Sequence, residues 1–166
     1  MPNTFTLIAS STVGAGGAAS IDFTSIAGTW TDLCLKASLR TTGTDPDDYI
    51  LIKPNNSTSN LTFKYLRGNG SAATSASTER PYVDANGATS NTFGNIEIYI
   101  PNYAGSTYKS FSIDGVTENN ATGALATLNA HLWSDTSAIN RIVLTSGQGF
   151  NFVQYSTAYL YGVKNA

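Results

Sequence analysis

Chemistry in this chain would have to start from very few residues. One histidine, His131, and one cysteine, Cys34, stand among 166 residues. Nucleophilic catalysis needs a base within hydrogen-bond reach of a hydroxyl and a third group to orient that base. His131 is the only imidazole, and no Gly-x-Ser-x-Gly turn accompanies it; it reads as a structural or interface histidine. Structural zinc takes four N, S or O ligands and catalytic zinc three, which one His and one Cys do not supply in the usual sets. Cys34 has no partner for an internal disulfide and reads as a small core residue. Glu79, Glu97 and Glu118 are the only glutamates. Nothing in their spacing pairs two of them across a cleft, as glycoside hydrolysis requires. The acidic turn Asp45-Pro46-Asp47-Asp48 has two readings. It offers part of the six to eight oxygens that Ca²⁺ takes, and it also fits a solvated type I turn, with Asp first and Pro second. Gly14-Ala15-Gly16-Gly17 resembles a phosphate cradle only superficially, because neither a helix nor a Lys-Ser/Thr pair follows. The sequence therefore predicts no enzyme, no catalytic residue, no cofactor and no metal ligand, the acidic turn alone keeping a second reading.

Aromatic residues are the richer feature. Nine Tyr and two Trp sit in a chain whose charged share is 12%, about half the usual ~25%. Tyrosine joins a large apolar body to a polar tip, which suits contact surfaces and sugar stacking. Tyr99, Tyr103, Tyr108, Tyr159 and Tyr161 are the candidate interface residues, with Tyr99, Tyr159 and Tyr161 alternating with core positions. Nine Lys and Arg against 11 Asp and Glu give a net charge of −2, so no basic surface for nucleic acid is expected. No apolar run approaches the ~20 residues that span a bilayer. The first residues carry no basic stretch and no long apolar stretch, so no membrane partner and no Sec export are expected.

These residues are positioned by strands. Trp30 to Arg40 alternates over four repeats, with Leu33, Leu35, Ala37 and Leu39 on one face, the mark of a half-buried strand. Thr4–Ile8, Ser20–Thr24, Tyr49–Lys53, Leu61–Arg67, Asn95–Ile100, Thr107–Asp114, Ile139–Leu144 and Thr157–Val163 read as further strands. Gly123 to Trp133 alternates as well, and preference puts Ala124, Ala126, Leu128, Ala130 and Leu132 on the core face, with Thr127, Asn129, His131 and Trp133 outward. Residues 68–92 lack periodicity and read as one long loop, a length that in compact domains is functional or mobile. The sum is one all-β domain over 1–166: an antiparallel β-sandwich, jelly-roll-like, of about 8–10 strands.

Three stretches together carry a resemblance: Phe5 to Gly14 with Ile21 to Ile26; Asn91 to Thr107 with Val116 to Asn120; and the ending Tyr155 to Asn165. The chain resembles small virion structural proteins of tailed bacteriophages, of the type found in phages of aquatic bacteria. The resemblance spans about half the chain and leaves Arg40 to Ser90 unmatched. It implies a β-sandwich without enzymatic activity, made in the host cytoplasm and carried on the virion. A decoration (cement) protein on the outer capsid surface is the first expectation, with the major capsid protein and its own copies, as a homotrimer, for partners. The alternative is a tail-fibre or receptor-binding head, in which the 68–92 loop and the tyrosines contact host carbohydrate.

Overall fold

A computed structural model describes residues 4–77, 81–121 and 123–164. Twelve strands, all paired antiparallel, and no helix are present among the described residues. In chain order they are β1 (Phe5–Thr12), β2 (Ile21–Phe23), β3 (Asp32–Leu39), β4 (Asp47–Pro54), β5 (Leu61–Gly68), β6 (Ala73–Ala76), β7 (Tyr82–Asp84), β8 (Gly94–Pro101), β9 (Lys109–Glu118), β10 (Ala124–Trp133), β11 (Ile142–Ser146) and β12 (Thr157–Val163). They form an eight-stranded sheet, ordered β1-β12-β3-β8-β9-β10-β5-β6, and a four-stranded sheet, ordered β2-β11-β4-β7. The antiparallel β-sandwich read from the alternation is what the chain adopts.

The period of two does the sorting. On β3, Leu33, Leu35, Ala37 and Leu39 turn inward, and β8 answers with Ile96, Ile98 and Ile100. The small sheet contributes Ile21, Phe23, Ile50, Ile52, Ile142 and Leu144 to the same core. Each such side chain contributes about 1.5–3 kcal/mol when fully buried. Glycine permits two close approaches. A Cβ at Gly94 would lie 2.6 Å from the Val83 backbone, so Gly94 lets β7 lie across the start of β8. A Cβ at Gly162 would meet the Trp30 ring at 2.2 Å.

Two expectations are corrected. Residues 68–92 are not one loop: β6 and β7 lie within them, which brings the count to twelve. β7 is buried at all three of its residues, so it shows no alternation to read. The second correction is β10, whose faces are reversed. Thr127, Asn129, His131 and Trp133 are buried, while Ala126, Leu128, Ala130 and Leu132 face out. The cause is register. β10 is locked to β9, with His131 opposite Phe111, Asn129 opposite Ile113 and Trp133 opposite Lys109. A one-residue slip would bury the leucines but expel Trp133 and break the match to Phe111 and Ile113. Trp133, 2% exposed, is among the largest fully buried side chains.

Candidate functional site

The outer face of the eight-stranded sheet gathers most of the predicted tyrosines. Register sets Tyr161 beside Cys34 and Cys34 beside Tyr99, with Leu7 on the far side of Tyr161. In the next row Tyr159 neighbours Lys36, which pairs with Glu97 at 2.7 Å. Tyr99 is half-buried, and its hydroxyl donates to Asp32 Oδ2 at 2.5 Å. That bond, foremost, and then burial push its pKa up to about 12. Beneath this row Cys34 is sealed from solvent, and burial, then the neighbouring Glu97, pushes its thiol up to about 11. A thiol so raised is a poor nucleophile at neutral pH.

Tyr103 corrects the predicted set. It is fully buried, its hydroxyl donating to Ala27 O and accepting from Trp30 N at 3.3 Å. It fastens the Ala27–Trp30 turn from within and presents nothing to a partner. Tyr108 is 61% exposed in the connection before β9, and Tyr159 is 39% exposed.

The sequence did not lead to the other half of this face. Where β9, β10, β5 and β6 lie side by side, Leu66, Val116 and Leu128 are 50%, 49% and 61% exposed. Leu128 sits opposite Leu66, and Ala126 opposite Val116. With Ala73 they line an apolar groove of about 340 Å³. The signal was the leucine–alanine alternation of β10, assigned to the core face rather than the outer one.

His131 is buried edge-on against Phe63, ring centres 4.6 Å apart, and near Phe111 at 6.5 Å. The two rings hold it in the core. Glu97 is engaged with Lys36, and Glu118 Oε1 accepts from Asn120 N; Glu79 lies outside the described residues. The acidic turn is split by the strand pleat. Asp48 turns inward and accepts from Ser146 Oγ at 2.6 Å, whereas Asp47 faces Asp84 directly across the β4–β7 ladder. Burial raises the carboxyls of both Asp48 and Asp84 above their ordinary value. Asp45 stays at the exposed turn. Among the described residues no three His, Cys, Asp or Glu side chains gather in a metal-ligand cluster.

Arg40, the last residue of the alternating run that begins at Trp30, is a buried cation. Its Nη1 donates to Thr89 O at 2.7 Å and Thr92 O at 2.9 Å, and its Nη2 to Ala88 O at 3.1 Å. One guanidinium thus organises the segment leading into β8. Compared with known proteins, the chain matches no family model, no curated protein and no solved structure.

Proposed function

We propose that this chain is a non-enzymatic structural component of a phage virion, a decoration protein that braces the outer capsid shell as a homotrimer. The carrying observation is the outer sheet face, where Leu66, Val116 and Leu128 stand about half exposed or more on one pleated surface. Contiguous exposed apolar area of this kind marks a docking surface. Eight strands at ~4.8 Å spacing and about eight residues at ~3.3 Å rise give a face of roughly 1,000 Å². A standard protein interface takes about 800 Å² from each partner. The resemblance to tailed-phage virion proteins supplies the particle as the setting, and the major capsid protein with further copies of this chain as the partners.

The strand order supports the same reading. β1-β12-β3-β8 faces β2-β11-β4-β7, the interleaving of two Greek keys expected of a jelly roll. The β9–β10 and β5–β6 pairs then widen one sheet, and it is this widened part that carries the apolar groove. A rigid sandwich broadened on one side is a bracket: several weak contacts made by one oligomer add up without any single strong site.

A density map of purified particles tests the proposal. Sandwich-shaped density is expected on the outer head surface at the junctions of capsomers. A fully occupied head map lacking it overturns the reading. Leu128→Asp is expected to release the protein from particles while leaving its fold intact.

A further inference from the structure

A second surface lies at the end of the sandwich where β3 stops and β8 and β12 begin. We propose that the pocket between Tyr155 and the 86–93 segment binds a neutral saccharide, one or two pyranose rings in size. This goes beyond the assembly role, because the pocket opens at a strand end and not on the outer sheet face.

The first observation is strain. Tyr155 has φ +72°, a conformation that bulky side chains rarely adopt. Its backbone is locked there from both sides. Tyr155 N donates to Val13 O at 3.0 Å, Val13 N to Ser156 O at 2.8 Å, and Val153 N to Arg40 O at 2.9 Å. Ser156 Oγ, fully buried, accepts from Arg40 N at 3.1 Å. Asn or Gly would sit at such a φ with little strain. The tyrosine is not repaid by the core, since 68% of it is exposed. Strain retained at an exposed aromatic points to work outside the fold.

The second observation is the company it keeps. A pocket of about 320 Å³ is lined by Tyr155, Phe93, Asn86, Asn91 and Gln154, with Arg40 beneath. Tyr155 and Phe93 supply two aromatic side chains in the lining, the residue type on which the C–H side of a pyranose stacks. Three carboxamides each carry a donor and an acceptor, the pairing that vicinal hydroxyls require. No carboxylate lines the pocket. The Arg40 guanidinium already donates to Ala88, Thr89 and Thr92 carbonyls and, through Nε, to Asn86 Oδ1 at 3.5 Å. Each of its three nitrogens is thus engaged with the segment, so the groups left to a ligand are the neutral carboxamides and the tyrosine hydroxyl, which suit a neutral ligand held in a preorganised site.

The test is an NMR titration of the full chain with the methyl glycosides of glucose, galactose, mannose and N-acetylglucosamine. At least one is expected to shift the amides of Asn86, Asn91, Phe93, Gln154 and Tyr155 with millimolar affinity. Tyr155→Asn is expected to weaken binding about tenfold or more while melting at the same or a higher temperature, because Asn tolerates the backbone angle. Tyr155→Phe keeps the ring and is expected to keep binding, and Tyr159→Ala, on the outer sheet face, to leave it unchanged. Silence at these amides with all four glycosides overturns the proposal. So does full binding by Tyr155→Asn.

Discussion

At the residue scale, this protein uses its few charges as internal fittings. Arg40 holds three carbonyls and a side-chain amide with one planar fork. Lysine presents a single ammonium and cannot reproduce that geometry. Arg40→Lys is expected to cost about 2–3 kcal/mol, read by urea denaturation. It should also speed hydrogen exchange in residues 86–93 before it does so in the β3–β8 core. Asp84 gives a pH prediction with a definite sign. Burial raises its carboxyl above the ordinary value of 3.8, so the folded protein retains a proton that the unfolded chain releases. Stability from this group is then highest in acid, and it is lost as pH rises from 3.8 through the raised folded value. Asp84→Asn removes the ionisation. Its stability relative to the parent is expected to be greatest near neutral pH and to shrink as pH falls toward about 4, checked by denaturant melts across that range. A constant difference across the range would refute the assignment.

At the element scale, β10 shows where a sequence is readable and where it stops being so. Alternation alone yields a strand at 124–133, because Ala and Leu recur every second residue. Which face turns inward is decided by the partner strands, through the register with β9 and β5. The same holds for β7, whose three buried residues carry no alternation, and for the Asp47–Asp84 pairing, which exists only once β4 and β7 meet. Tyr155 is a harder case: its backbone angle is imposed by Val13 and Arg40, and nothing in the residues around 155 announces it. The sandwich and the outward setting of Tyr159 were legible, since each rests on local period. The inverted face of β10 also leaves a mark in energy. Asn129 is 5% exposed, and neither polar atom of its side chain has a hydrogen-bond partner among the described residues. A buried amide left so costs about 1–3 kcal/mol. Asn129→Leu, with the same branched four-heavy-atom skeleton but two methyls for the amide, is expected to raise stability by about 1–2 kcal/mol in equilibrium urea unfolding. A loss of stability would mean that the amide has a partner and that the interior of β10 is polar for a structural reason.

At the scale of the whole molecule, the two halves of the wide sheet's outer face differ in kind. Around β12, β3 and β8 the surface mixes half-buried tyrosines with the Lys36–Glu97 pair. Around β9, β10 and β5 an aliphatic strip of Leu66, Val116, Ala126 and Leu128 runs beside Asp114, and the face beneath it mixes Phe111, Ile113 and Trp133 with buried Thr127, Asn129 and His131. A monomer selected only for stability would place Leu128 and Leu132 inside and Asn129 outside; this chain does the reverse, which is sensible where the leucines are covered by another molecule. Association through an aliphatic face has a different salt response from association through charges, which screening weakens beyond a Debye length of about 10 Å at ~0.1 M salt. Self-association of the purified chain, measured by light scattering, is therefore expected to hold or strengthen as salt rises. The double variant Leu66→Asp, Leu128→Asp is expected to be monomeric while unfolding within about 0.5 kcal/mol of the parent monomer, because both side chains are surface positions in the isolated chain. A salt-labile oligomer, or one indifferent to both substitutions, would move the contact away from this face and toward the Tyr159–Lys36–Glu97 row.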